Sequence, residues 1–304
     1  MSFSAESLNI KNSINHKVNN AIIMAAGISS RFAPISYEYP KALLSVKGEI
    51  LIERQIRQLK EVGIHDITVV VGYKKELFYY LKDKYSVNIV ENPEYMVRNN
   101  NSTLYYVKDI LSNTYICSAD NYFMENVFEA YVQEAFYSAV FQEGYTDEWC
   151  INTDSEDLIT DITIGGSDSW IMLGHALFTK EFSKKFIDVL ERIYDRPETK
   201  PLLWEGIFKK HINELPMHIR KYPEKTIFEF DTLDELRFFD DTYWDYTGSK
   251  ILKQVCAELD CREREIVKAS PLNVEGETMG FTFIVNDINY KYLYNEKLIV
   301  KGEK

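Results

Sequence analysis

The apolar positions of this 304-residue chain fall into short blocks that alternate between two periods. AIIMAAG, beginning at Ala21, is an unbroken apolar run closed by Gly27, the pattern of a strand buried on both faces that empties into a loop. In ILIERQIRQLKEVGI, Ile52, Ile56, Leu59 and Val62 recur at helical spacing, and Gly63 supplies a stop. DITVVVGY reads as a β-branched strand ending at Gly72, KKELFYYLKDKY as a helix, and VNIVENP as a strand closed by Pro93. The order βαβαβ predicts a parallel sheet with crossover helices, and ligands on such sheets sit beyond the carboxyl ends of the strands.

The second half continues the alternation less regularly. STLYYVKDIL predicts a helix, and NTYICSADNYF a strand running into acidic residues. Residues 136–180 are rich in strand formers and contain Gly165-Gly166, so the sheet is expected to become mixed there. KEFSKKFIDVLERIYD places Phe182, Phe186, Val189, Leu190 and Ile193 on one helical face, WEGIFKKHI reads as a shorter helix, and IFEFDTLDELRFFDDTYW as a last strand followed by a helix. Beyond Trp244, SKILKQVCAELDC is amphipathic, and FTFIVNDINYKYLYNEKLIV predicts two strands around a turn at Asn286-Asp287. The expected organisation is a flexible, polar leader over residues 1–20, an α/β domain over 21–245, and a small helix-plus-hairpin appendage over 246–304. So short an appendage is expected to pack on the main domain or on another chain.

Charge narrows the function classes. Thirty-five Lys+Arg against 47 Asp+Glu give a net charge of −12, which argues against a general positive field for nucleic acid or anionic lipid. No stretch approaches the roughly 18 apolar residues a membrane span needs, and the leader lacks the apolar centre of a secretory signal, so a cytoplasmic location is expected. The four cysteines show neither CxxC spacing nor disulfide density, and the five histidines form no metal-binding spacing.

The loop after the first strand carries the chemistry. Ala25, Ala26, Gly27, Ser29 and Ser30 are small enough for backbone N–H groups to approach phosphate oxygens, Arg31 can neutralise them, and Lys41 can reach the same anion from the far side of the loop. Two further strands deliver Asp120 and Asp231 at their ends. Two carboxylates can share a magnesium ion, which bridges protein and phosphate oxygens in octahedral geometry.

The combination Gly27, Arg31, Pro34, Pro40, Lys41 resembles the signature of the sugar-nucleotidyltransferase superfamily, with Ser29 in place of its second glycine. From Ala21 to about Asp240, the order AAG, SR, YPKALL, VVVGYKKELFYYLKDKY, ADNYF, DEW, LLWE and FEFD narrows this to the bacterial CTP:phosphocholine cytidylyltransferases. The resemblance implies a Rossmann-like nucleotidyltransferase fold and Mg²⁺ held by Asp120 and Asp231. It implies that Asn99 and Asn100 orient the cytosine or ribose, and that Trp149, Trp204 and Glu205, with Tyr122 closing the set, form an aromatic box for a quaternary ammonium. The implied reaction is attack of the phosphocholine phosphate on the α-phosphorus of CTP, with Lys41 and Arg31 stabilising charge.

Other readings stay open on the residues. They are cytidylyl transfer to 2-aminoethylphosphonate or phosphoethanolamine, a sugar-1-phosphate nucleotidyltransferase, and a nucleotide-binding regulatory subunit without catalysis. The segment after about residue 246 more weakly resembles the start of choline-kinase-like proteins. No catalytic aspartate of such a kinase occurs before Lys304, so a packing or interaction role is expected of it, in a homo-oligomer or beside a fused or associated kinase.

Overall fold

The computed structural model describes residues 15–274 and 277–302; most of the expected leader lies outside them, and its described end is not a flexible leader, because His16–Lys17 pair with Tyr131–Val132, Val18 is buried and Asn20 opens the central sheet. Its centre is a seven-stranded sheet. The strands are β1 (Asn20–Ala25), β2 (Ile67–Val71), β3 (Asn88–Glu91), β4 (Thr114–Ser118), the long hairpin arms β6 (Phe136–Thr153) and β7 (Ile159–Phe178), and β8 (His218–Tyr222). Their spatial order is β8-β6-β7-β4-β1-β2-β3. β4, β1, β2 and β3 run parallel, β7 pairs antiparallel with both β4 and β6, and β8 joins β6 in parallel, which makes the sheet mixed as expected. Two-residue strands β5 (Tyr122–Phe123) and β9 (Ile227–Phe228) pair beside it.

The helices follow the apolar periods. α1 (Leu51–Glu61) buries Ile52, Ile56 and Leu59 against the sheet. The segment predicted as the next helix splits into a 3-10 turn at Lys75–Phe78 and α2 (Tyr80–Tyr85), and α3 (Asn101–Tyr106) begins the predicted STLYYVKDIL helix. α4 (Lys180–Ile193) is capped by Thr179 Oγ1, which accepts from Phe182 N at 3.3 Å, and it buries all five expected apolar residues. α5 (Trp204–Lys210) and α6 (Leu233–Phe239) complete the main domain.

The C-terminal residues form α7 (Lys250–Leu259) and a four-stranded antiparallel sheet of β10 (Val267–Val274), β11 (Glu277–Val285), β12 (Ile288–Leu293) and β13 (Leu298–Lys301). Asn286 and Asp287 both have positive φ, 49° and 61°, the backbone of a two-residue hairpin turn. Phe281, Phe283, Val285, Tyr292 and Tyr294 pack in one core with Phe32, Ala33, Ile35, Leu44 and Val46 of the main domain. Tyr294 stacks on Tyr37 at 3.8 Å, and Glu38 accepts from the backbone N–H of Lys250 at 2.8 Å. The appendage therefore lies directly against the loop that follows β1.

Candidate active site

Beyond the carboxyl ends of β1 and β3 opens a cleft of about 720 Å³. Its wall contains Ala25, Ala26, Gly27, Ser29, Ser30, Arg31, Lys41, Asn99, Asn100 and Asp120. Ser29, which stands where the signature has glycine, sits in the left-handed region at φ 53°, ψ 46°. That is the backbone a glycine supplies without strain and a serine tolerates with difficulty. Gly72 closes the floor: a Cβ there would meet Tyr95 Cγ at 2.6 Å and the carbonyl oxygen of Ala26 at 2.9 Å.

Lys41 opens a short turn after Pro40, and its side chain is only 4% exposed. Its Nζ lies 2.9 Å from Asp120 Oδ2. Burial pulls the ammonium pKa down, but Asp120, Glu229 and Asp231 together outweigh it and leave the pKa above its ordinary value. Across the loop, Arg31 Nη1 lies 2.6 Å from Asp231 Oδ2, with the arginine side chain 70% exposed. The two cations and two aspartates expected at the site thus form two ion pairs, each made through one oxygen of its carboxylate.

Glu229 was not among the expected residues. Asp120 first and burial second push its carboxyl up to about 8, while Lys41 pulls it down and Asn121 Nδ2 donates to its Oε2 at 3.1 Å. The sequence signal was present: in FEFD, Glu229 and Asp231 are two apart, on one face of an extended segment. The DEW motif contributes Glu148, whose carboxyl is raised by burial and by Asp231 and lowered by Arg31.

Mg²⁺ commonly takes one or two protein carboxylates and completes its octahedron with phosphate oxygens and water. Among the described residues, no three His, Cys, Asp or Glu side chains stand together as a ready-made cage. Asp120 and Asp231 offer hard oxygen donors, and the raised Glu229 carboxyl marks an excess of negative charge beside them, so the donor set fits a hard divalent cation.

The acceptor side departs from expectation. Trp204 is 1% exposed and packs with Tyr137, Phe178 and Phe186, so its ring belongs to the core and forms no wall of the cleft. Adjacent positions on a helix point in different directions, so the next residue, Glu205, faces elsewhere. It accepts from Tyr137 Oη at 3.2 Å and Asn100 Nδ2 at 3.3 Å, and burial pushes its carboxyl up to about 7. Tyr122 is also no part of an open box: it is buried in the C-terminal core beside Phe239, with the Arg54 guanidinium 4.5 Å from its ring centroid. Trp149 is half-buried, 3.7 Å from where a Cβ on Gly206 would stand, and thus covers the first turn of α5.

The asparagine run fastens this turn. Asn100 Oδ1 accepts from Trp204 N at 2.7 Å, Asn99 Nδ2 donates to Pro201 O at 3.2 Å, and Asn101 Nδ2 donates to Thr199 O at 3.1 Å. Asn99 and Asn100 line the cleft, but their amides are committed to the 199–205 segment.

Residues 21–142 match the family of MobA-like NTP transferase domains. The chain is 36% identical over 217 residues to a choline-phosphate cytidylyltransferase of Streptococcus pneumoniae, a match covering 71% of this chain and 95% of that one. It is also 36% identical over 233 residues to a 2-aminoethylphosphonate cytidylyltransferase of Lancefieldella rimae, covering 75% and 95%. The solved structure of the S. pneumoniae CTP:phosphocholine cytidylyltransferase superposes with a TM-score of 0.71 at 35% identity, over 73% of this chain and 98% of that one.

Proposed function

Because the chain belongs to the cytidylyltransferase family that holds the bacterial choline-phosphate and 2-aminoethylphosphonate enzymes, we propose that it transfers CMP from CTP to phosphocholine, yielding CDP-choline and pyrophosphate. The observation that carries the reading is the buried Lys41 held against Asp120 at the mouth of a loop shaped for phosphates. An ammonium stripped of water attracts anions far more strongly than an exposed one.

The acceptor phosphate is an anion near neutral pH and needs no general base. Lys41 lies where it can hold the incoming phosphate and the α-phosphate together, lowering their repulsion. Backbone N–H groups of Gly27 to Ser30 receive the triphosphate, and Arg31 closes over it from the solvent side. Nucleotidyltransferases of this family generally use Mg²⁺. Asp120 and Asp231 would hold it, and when bound it supplies positive charge to the triphosphate. Glu205, with the ring of Trp149 beside its helical turn, would face the acceptor's ammonium.

A second reading is favoured by one observation. With Trp204 and Tyr122 buried in cores, the acceptor side offers carboxylate and phenol oxygens more than aromatic faces, which suits the N–H donors of a primary ammonium such as 2-aminoethylphosphonate or phosphoethanolamine. Pyrophosphate release from CTP, measured with phosphocholine, phosphoethanolamine, 2-aminoethylphosphonate and glucose-1-phosphate, decides between them. Fastest turnover of phosphocholine is expected, and no release with any acceptor would refute cytidylyl transfer.

A further inference from the structure

We propose that a second cavity, between the main domain and the C-terminal appendage, binds a small anion that carries a flat ring. The cavity holds about 880 Å³, a size suited to a small molecule. One wall comes from the stretch around Lys41, with Ile35, Tyr37, Tyr39 and Leu44, and the facing wall from residues 242–254 together with Tyr292 and Lys297. No residue lines both this cavity and the phosphate cleft, so the two are separate sites.

The wall is cationic in a chain whose net charge is −12. Lys74, Lys250 and Lys297 line it, and none of the three is ion-paired among the described residues. Lys253 Nζ adds a further positive charge beside it, 4.9 Å from the centroid of the Tyr246 ring. Among the described residues the only carboxylate on the wall is Glu38. That carboxylate already accepts from Ser249 Oγ and from the backbone N–H groups of Lys250 and Ile251, at 2.8 and 3.4 Å for the latter two. Three lysines against one engaged carboxylate leave a local excess of positive charge, which favours an anion.

The rings say what the anion carries. Tyr37, Tyr39 and Tyr246 line the cavity and are all exposed. Tyr294 covers one face of Tyr37 with its ring centroid 3.8 Å away and the planes 10° apart, so a ligand ring can stack only on the other face. Exposed tyrosine rings would also suit a quaternary ammonium. The unpaired lysines oppose one. Rings and lysines together suit a molecule with a flat ring at one end and an anionic group such as phosphate at the other.

The test is calorimetric titration of the full chain with AMP, which has both ring and phosphate, with adenosine and with inorganic phosphate. Each is titrated with and without saturating CTP and Mg²⁺, in the absence of an acceptor. AMP is expected to bind whether or not CTP is present, and adenosine and inorganic phosphate to bind at least about 10-fold more weakly, the scale for one lost charge-assisted contact. The double variant Lys250→Glu, Lys297→Glu should weaken AMP by about 10-fold or more and leave CTP binding and the melting temperature unchanged. Both side chains are exposed, and Lys250→Glu sets an acid in the first turn of α7, where the helix dipole favours it. Displacement of AMP by CTP would put it in the phosphate cleft and overturn the inference. So would the absence of AMP binding, an affinity the double variant does not move, or adenosine or inorganic phosphate binding as tightly as AMP.

Discussion

Lys41 and Asp120 lie 79 residues apart in the chain and 2.9 Å apart in space. The pair joins the loop after β1 to the end of β4, neighbouring parallel strands, so the two motifs meet because the sheet puts them side by side. Lys41→Ala or Asp120→Ala should lower turnover by at least about 100-fold, the scale for removing one preorganised electrostatic contact. Asp120→Ala should also leave the buried ammonium short of a partner and destabilise by on the order of 3 kcal/mol. Pyrophosphate release measured alongside thermal unfolding checks both, and wild-type turnover in either variant would remove that residue from the chemistry.

Glu229 gives the site a pH signature. Its carboxyl is raised from 4.5 to about 8, by Asp120 first and burial second. Between those values the folded chain holds a proton that the unfolded chain has released. The associated stability is complete below about 4.5 and is lost as pH rises through about 8. Glu229→Gln should match wild type near pH 4.5 and be the more stable of the two at pH 9, by an amount that solvent screening of this partly exposed carboxylate reduces. Denaturant unfolding at both pH values measures this, and an identical difference at the two would show that Glu229 does not titrate as described.

The two tryptophans of the expected box should behave differently. Trp204→Ala removes a fully buried ring and should destabilise by about 3–5 kcal/mol. Trp149→Ala should raise the acceptor KM with a much smaller change in melting temperature. Glu205→Gln should raise the KM for a cationic acceptor about 10-fold or more and abolish the fall in KM expected as pH rises through about 7. Acceptor titrations across pH 6–8 with parallel melts separate these effects. An unchanged KM in both Trp149→Ala and Glu205→Gln would move the ammonium site elsewhere.

His175 is a liability of the fold itself. It is fully buried among Tyr115, Phe123, Phe128 and Phe136, with neither ring nitrogen partnered among the described residues. Burial, followed by Arg220, pushes its pKa from 6.5 down to about 3. Stability from the neutral ring is present above about 6.5 and lost as pH falls toward about 3. His175→Phe should stabilise by about 1–3 kcal/mol and flatten the acid limb of the stability curve. A less stable variant at pH 5 would mean that the ring nitrogens find partners.

The parallel half of the sheet was legible because strands buried on both faces read as unbroken apolar runs, and helices such as α4 expose their period plainly. β8, HIRKY, was hidden because it is an edge strand in which Ile219 alone is buried. β10 was hidden by Pro271, which is tolerated there because β10 pairs on one side only. In the site, glycine and proline punctuation exposed Arg31 and Lys41, and the apolar strands that end in ADNYF and FEFD exposed the two aspartates. The facing of Trp204 was not legible, since neighbouring helical positions diverge by about 100° and an aromatic residue suits core and cleft equally.

Phe32, next to Arg31 in the phosphate turn, shares its packing neighbours with Phe281 and Phe283 of the C-terminal sheet. A close-packed interior transmits displacement rather than absorbing it. A change in how that sheet packs is therefore felt at the turn that carries Arg31, and not only within the appendage. The appendage thus braces the loop after β1 from behind, through Phe32 together with the Tyr37–Tyr294 stack and the Glu38–Lys250 bond.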